Sequence, residues 1–304
     1  HKNWMFQYEY ARSALKLGLD LEAKLRINPF KFGMIGSTDA HTSFATAEED
    51  NFFGKFTITE PSPDRWKKAL LPETLKSAQV QFYEWEMAAS GYAAVWATEN
   101  TREALFEAMQ RKETYATTGS RINVRFFGGW DYQETNAYSP SFVDIGYSKG
   151  VPMGGDLTKA PAGKTLTFLI RAVKDPIGAN LDRVQVIKGW LNKEGKLHEK
   201  VYDVAVSDGR TIGSDSRARQ QVGSTVDVTN ATYMNTIGNP ELAVVWTDSE
   251  FDAKERAFYY VRVIEIPTPR WTAYDAKFFG SKMDSKVPMT TQERAYTSPI
   301  WYTP

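Results

Sequence analysis

The chain has 304 residues, of which 42% are hydrophobic, 24% charged and 13% aromatic, and its formal net charge is zero. This length is enough for a sizeable core and predicts two domains. The balanced charge gives no sign of a nucleic-acid or acidic-membrane partner. The lack of cysteine excludes thiol catalysis, thiolate metal ligands and disulfides. No run of about 18 apolar residues occurs, so we expect no membrane span.

A helix is the first element that the sequence predicts. Apolar residues recur at broadly helical spacing over residues 7–25. The dipeptide Asn28-Pro29 is expected to end the helix. The apolar residues 32–35 then predict a short strand, so this part of the chain is interpreted as an α/β unit.

A short polar motif follows that predicted strand. Residues 36–41 read Gly-Ser-Thr-Asp-Ala-His. In extended backbone, residues i and i+2 point to the same side, so we expect Asp39 and His41 to aim at one position beyond the strand. A carboxylate and an imidazole that converge suit a divalent cation such as zinc, manganese or iron. The competing interpretation is a polar turn with a surface histidine, because so short a motif often occurs by chance.

Residues 42–63 are predicted to form a loop, since they carry a charged run followed by prolines. A long irregular segment directly after ligands is typical of a lid or binding loop. Within it, Lys55 is either a contact for an anionic substrate or a solvated basic side chain. A helix is predicted over residues 64–90.

The next stretch alternates between strand and helix. Residues 92–96 predict a short strand, and a helix is expected to run to Lys112, with Asn100 as its N-cap and Glu103 as the capping-box partner. Residues 114–121 are then predicted to be extended.

The end of that extended stretch is polar. Thr118, Ser120 and Arg121 are candidates to line a cleft, where Arg121 would bind an oxyanion through two hydrogen bonds. The alternative is a strand end whose hydroxyl groups satisfy backbone groups.

From residue 122 onward the sequence is rich in β-branched and aromatic residues. Strand-like runs over residues 122–126, 166–173, 184–190 and 259–266 are separated by turn residues. Such spacing favours a β-sandwich. We therefore predict a division into residues 1–121 and residues 122–304.

The motif at residues 36–41 resembles the last metal-ligand motif of the PHP superfamily, named for polymerase and histidinol phosphatase. Residues 48–55 resemble one bacterial branch of it, described as a domain of unknown function. Further stretches match the same branch, namely residues 102–121, 175–191, 257–274 and 293–304. The first of these is also similar to carbaryl-hydrolase-type relatives within the superfamily.

The resemblance implies a fold and a function. Residues 1–121 would be the C-terminal part of a distorted α/β barrel, followed by a β-sandwich-like domain. The activity would be metal-dependent hydrolysis of a small-molecule phosphate ester, by water activated on two or three manganese, zinc or iron ions. Asp39 and His41 would be metal ligands, with Arg121 and Lys55 as oxyanion contacts. A carboxylic or carbamate ester hydrolase and a noncatalytic binding module remain as alternatives.

The number of ligands adds one expectation. A catalytic metal needs at least three protein ligands, whereas the motif supplies two. The histidines are His1, His41 and His198. Since PHP enzymes carry most of their ligands in upstream histidine-rich motifs, we expect the others in a preceding part of the same protein. The resemblance and the lack of cysteine also favour a periplasmic or exported protein.

Overall fold

The computed structural model describes residues 2, 4–5, 8–44, 47–70, 82–89 and 91–304. These residues contain four α-helices: α1 (Ala11–Leu25), α2 (Arg102–Gln110), α3 (Phe142–Lys149) and α4 (Trp271–Phe279). They also contain fourteen strands: β1 (Ala93–Val95), β2 (Thr114–Thr117), β3 (Asn123–Gly129), β4 (Gly150–Pro152), β5 (Asp156–Thr158), β6 (Thr167–Val173), β7 (Leu181–Leu191), β8 (Leu197–Val206), β9 (Glu241–Thr247), β10 (Arg256–Glu265), β11 (Thr268–Pro269), β12 (Thr290–Thr291), β13 (Arg294–Thr297) and β14 (Ile300–Thr303).

The larger sheet is organised around β10. One edge of β10 pairs with β7, which continues to β8. The other edge is shared by β13 and β14. From there β13 continues to β2 and β1, while β14 continues to β5 in parallel orientation. Strands from both halves of the chain therefore meet in one sheet.

The smaller sheet has the antiparallel order β4–β3–β6–β9 and packs against one face of the larger sheet. Phe168 of β6 is fully buried, and its ring lies 5.4 Å from that of Phe126 and 4.6 Å from that of Tyr259 on β10. Alternate residues of each strand point to this core, as the two-residue period of a strand requires.

Helix α1 covers the opposite face of the larger sheet. Leu15 and Leu19 are fully buried and pack with Phe258, Tyr260 and Trp301. The two leucines are four residues apart, so they share one face of the helix. Both faces of β10 are thus covered, one by the smaller sheet and one by α1.

The predicted fold class is wrong. The described residues form mostly antiparallel sheet with four short helices, and no helix-rich α/β barrel is present among them. Strands β1 and β2 precede residue 122 but pair into the sheet through β13. Their partner lies almost at the end of the sequence, so a local pattern could not predict which sheet they join. The boundary between residues 121 and 122 stays a prediction.

Several local predictions also need correction. Residues 32–35 form no strand, and the amide of Met34 donates to the Ser298 hydroxyl at 2.8 Å rather than to a neighbouring strand. Helix α1 begins at Ala11; residue 7 lies outside the described residues. The N-cap of α2 is Thr101 instead of Asn100, because the Thr101 hydroxyl accepts from the Ala104 amide.

The helix predicted over residues 64–90 is not found where the structure describes that stretch. Single 3₁₀ turns occur at Arg65–Lys67 and Glu84–Glu86, joined by an antiparallel bridge between Ala69 and Tyr83. Residues 71–81 and 90 lie outside the described residues. The bridge keeps the two flanking parts extended, which is incompatible with a continuous helix.

The predicted strands are present in the structure, except for residues 32–35. The predicted strands near residues 92–96, 114–121, 122–126, 166–173, 184–190 and 259–266 are confirmed as β1, β2, β3, β6, β7 and β10, with shifted ends. None of the helices in the described part of the chain combines the length and apolar character needed to cross a membrane.

Candidate functional site

The motif at residues 36–41 crosses the ends of β1 and β2 in close contact with backbone. A Cβ atom on Gly36 would lie 2.5 Å from the carbonyl oxygen of Tyr92 and 2.7 Å from that of Thr117. The Ser37 carbonyl accepts from the Gly91 amide at 3.2 Å. Glycine at residue 36 is therefore required for this approach.

Asp39 adopts a left-handed backbone conformation, with φ of 47°. The prediction assumed extended backbone here, so the geometry differs from the expected one. The Lys55 ammonium donates to the Asp39 carboxylate and, at 2.6 Å, to the Asp39 carbonyl. Its hydrogen bond holds the pKa of Asp39 below the ordinary value. Asp39 is thus ionised at neutral pH, with a side chain that is 71% exposed.

His41 is held in one tautomer. Its Nδ1 atom lies 3.1 Å from the Asp39 carbonyl oxygen. Because a carbonyl only accepts hydrogen bonds, Nδ1 must carry the proton, and in the neutral ring Nε2 keeps a lone pair. The His41 amide donates to the Lys55 carbonyl at 2.9 Å, and the imidazole packs on Phe56. Metal-binding histidines are commonly fixed in this way.

The donor types at this motif fit a transition metal. Asp39 offers an anionic oxygen and His41 an imidazole nitrogen, both of which zinc, manganese and iron accept. Across the described residues, no group of three or more histidine, aspartate or glutamate side chains is arranged to hold a metal. The motif therefore supplies two donors of the three that a catalytic metal requires. The convergence of both side chains on one position stays a prediction.

The two predicted oxyanion contacts lie beside different carboxylates. Lys55 pairs with Asp39, as described above. The Arg121 guanidinium is 3.4 Å from a carboxylate oxygen of Glu48, and its side chain is 63% exposed. The Arg121 amide donates to Asp175 at 2.8 Å. The structure therefore brings Asp39, His41 and Lys55 together and places Arg121 on another carboxylate.

A cavity of 270 Å³, called the acidic cavity below, adjoins the residues before Arg121. Ser120 and two tyrosines, Tyr233 and Tyr274, contribute to its wall. The carboxylic acids that line it are Glu48, Glu49, Asp50, Asp175, Glu265 and Glu293.

Two of these acids are held by hydroxyl groups of residues that closely follow β2. Ser120 donates to Glu265, and Thr118 donates to Glu293. Burial raises the pKa of each acid to about 8. Both are therefore largely protonated at neutral pH, which limits the repulsion between neighbouring carboxyl groups.

Sequence reasoning missed the acidic cavity. Glu265 is the last residue of β10 and Glu293 directly precedes β13. Glu265 meets Ser120 and Glu293 meets Thr118 because β13 pairs with both β2 and β10. The available signal was Glu265, a charged residue at the end of the apolar strand β10, and it did not indicate that Ser120 would be its partner.

Two comparisons bear on identity. None of the curated proteins matches the chain. A family model described as "Protein of unknown function (DUF3604)" matches residues 1–304. A branch of unknown function is what the resemblance predicted, whereas the link to the PHP superfamily and to carbaryl-hydrolase-type relatives stays a prediction. The chain belongs to the DUF3604 family of proteins of unknown function.

Proposed function

We propose that this protein is a metal-dependent hydrolase of phosphate esters and that Asp39 and His41 are two of its metal ligands. The observation that carries the proposal is the hydrogen bond from His41 Nδ1 to the Asp39 carbonyl. It leaves the Nε2 lone pair of His41 available to a metal ion, two residues along the chain from the ionised carboxylate of Asp39. Two or three manganese, zinc or iron ions, when bound, would supply activated water.

The chain's own residues would have separate tasks. The Asp39 carboxylate provides negative charge, and the fixed tautomer of His41 provides a neutral nitrogen donor. Lys55 and Arg121 bring positive charge that suits an oxyanion. The remaining ligands are proposed to come from a part of the protein that precedes this sequence.

Hydrolysis of an uncharged carboxylic or carbamate ester is the second candidate. The described lining of the acidic cavity consists of acids, hydroxyl groups and apolar groups, without lysine, arginine or histidine. Such a wall would repel a phosphate ester, so it favours an uncharged substrate if the substrate enters this cavity.

The test uses the protein produced from its complete gene. Metal content is measured by mass spectrometry, and hydrolysis is assayed with p-nitrophenyl phosphate, p-nitrophenyl acetate and an aryl N-methylcarbamate. We expect stoichiometric transition metal and hydrolysis of the phosphate. His41→Ala should lose metal and reduce the rate by roughly 100-fold or more.

His198→Ala is the matched control. His198 bonds Asn192 and stacks on Trp190, so its removal should leave metal content unchanged. A wild-type protein without metal, or a fully active His41→Ala variant, would contradict the proposal. Faster hydrolysis of the acetate or the carbamate would support the second candidate.

A further inference from the structure

We propose that Glu84 is a positioning residue for the Asp39–His41 pair and acts through the backbone of Lys55. The inference rests on the proposed function, because it takes the pair to be metal ligands. Glu84 lies in a stretch that was predicted to be helical, and sequence reasoning assigned it no role.

Glu84 is buried in a way that packing alone does not explain. Its residue is 0% exposed, and one carboxyl oxygen accepts from the Lys55 amide at 3.0 Å. Among the described residues the other oxygen has no partner in hydrogen-bond geometry, although the Thr59 hydroxyl interacts with the carboxyl group, and burial raises the pKa of Glu84. Burying such an oxygen costs free energy, and an apolar side chain would avoid that cost. A cost of this kind is typical of a group that has a task beyond stability.

Lys55 connects Glu84 with both members of the pair. Its amide donates to Glu84, and its carbonyl accepts from the His41 amide at 2.9 Å. Its ammonium donates to the carbonyl and to the carboxylate of Asp39. The Asp39 carbonyl is also the acceptor that fixes the His41 ring. A displacement of the Lys55 backbone would therefore disturb both proposed ligands at once.

Glu84 is itself well anchored. Its amide donates to the Lys68 carbonyl at 3.0 Å, and its carbonyl accepts from the Met87 amide at 2.8 Å. The adjacent bridge between Ala69 and Tyr83 holds the same turn. The carboxyl group is thus presented from a fixed backbone.

The chain also turns tightly on the other side of the contact. Gly54 has φ of 112°, and a Cβ atom there would lie 2.4 Å from the Thr59 carbonyl oxygen. The Thr59 hydroxyl donates to the Phe56 carbonyl at 2.9 Å, which fixes the residue whose ring supports His41. Lys55 therefore lies between a glycine turn and the 3₁₀ turn Thr57–Thr59, and these turns together with Glu84 set the position of its backbone.

The experiment reads the His41 ring directly by NMR of the 304-residue chain labelled with ¹⁵N-histidine. With His1, His41 and His198 as its histidines, the spectrum is simple. In the wild type we expect His41 to be the Nδ1-protonated tautomer. Glu84→Leu removes the acceptor for the Lys55 amide. The ¹⁵N chemical shifts of the two ring nitrogens of His41 should then average, while those of His198 should stay unchanged. Glu84→Gln keeps an oxygen for the Lys55 amide and should restore the wild-type pattern.

Added Mn²⁺ provides a second readout, because it broadens the signals of any histidine that it binds. We expect broadening of His41 in the wild type and in Glu84→Gln. Glu84→Leu should need at least several-fold more Mn²⁺ for the same broadening. An identical tautomer and identical broadening in Glu84→Leu and the wild type would overturn the proposal.

The two readouts separate this inference from the proposed function. If Mn²⁺ leaves His41 of the wild type sharp while Glu84→Leu still changes the tautomer, metal binding fails and positioning stands. Glu113→Leu is the matched control, since Glu113 is a buried acid held by Tyr147 and Arg111. It should leave His41 unchanged. If Glu84→Leu does not fold, Glu84→Asp withdraws the acceptor by one methylene and should change the tautomer in the same direction.

Discussion

The centre of the larger sheet and the segment that carries Asp39 and His41 are held in opposite ways. Strand β10 has partners on both edges, and its residues Phe258, Tyr259 and Val261 are fully buried. The motif segment forms no strand, and a few polar contacts through Lys55 fix it. Stability and the proposed chemistry therefore reside in different places, so a mutation can damage one without the other.

The same contrast appears in the acids of the two regions. Asp39 is exposed, and the Lys55 hydrogen bond holds its pKa low. Glu265 and Glu293 line the acidic cavity, and burial of their carboxyl groups raises the pKa of each to about 8. An acid in this protein is charged or neutral according to its surroundings, which gives each region its own pH response.

Truncating the core should give the largest effect. Phe168 is fully buried among Phe126, Trp246 and Tyr259. Phe168→Ala should lower the free energy of unfolding by about 3–5 kcal/mol through lost burial and a residual cavity. Urea unfolding measures this, and the His41 ring signals should stay unchanged in the folded protein. The control Phe278→Ala removes a ring that is 81% exposed and should change little. A shifted His41 signal in Phe168→Ala would show that the two regions are coupled.

Removing a buried charge near the motif should come next. Arg65 is 2% exposed, makes two hydrogen bonds with Asp275 and lies over the Trp271 ring at 4.5 Å. Arg65→Met leaves Asp275 buried without its partner, which costs about 3–5 kcal/mol when it is not relieved locally. We expect faster hydrogen exchange in residues 47–67, with β10 still protected. The double variant with Asp275→Leu should recover part of the loss. Equal loosening of β10 would contradict the separation of the regions.

The acidic cavity should make the stability of the protein depend on pH. The folded-state pKa values of Glu265 and Glu293, about 8, exceed the ordinary value of 4.5. The folded state then binds more protons, so this stability is fully present below pH 4.5 and is lost as the pH rises through 8. The urea midpoint of unfolding should fall as the pH is raised from about 5 to about 8. Glu265→Gln should flatten the decline, whereas an unchanged slope would refute the assignment.

The smallest effect on stability is expected at the pair formed by Lys55 and Asp39. Lys55→Met removes the ammonium that lowers the pKa of Asp39, so that pKa should rise toward its ordinary value of 3.8. The ¹³C shift of the Asp39 carboxyl group, followed against pH, measures the change. The unfolding midpoint should move little, because the Asp39 side chain is 71% exposed and solvent screens its interaction with Lys55. The control Lys254→Met should leave the Asp39 titration as it is in the wild type.

Much of the sheet could be predicted because its signal is local. Strands β6, β7 and β10 are rich in apolar β-branched and aromatic residues, and turn residues separate them. The two-residue period places every second side chain in a core, whatever the strand order. The sequence around each strand therefore contained the information needed to find it.

The order of the strands could not be predicted, since pairing joins distant segments. Strand β2 pairs with β13 across most of the chain, and no local pattern records that partner. The acidic cavity depends on this pairing and was missed for the same reason. Residues 32–35 show the converse case, because their apolar composition predicted a strand although no neighbouring strand pairs with them. Asp39 and His41 could be proposed from the sequence because motif composition is local, whereas the contact between Glu84 and the Lys55 amide joins residues 29 positions apart and no local pattern predicts it.

The position of β13 and β14 on β10 has a consequence for biosynthesis. Both strands are synthesised after β10, yet they cover one of its edges and connect β1, β2 and β5 to the sheet. Until they leave the ribosome, β10 exposes a row of unpaired amide and carbonyl groups that can template pairing with another chain. A nascent chain that ends before residue 294 would keep this edge open, so we expect such incomplete products to aggregate more readily than the 304-residue chain.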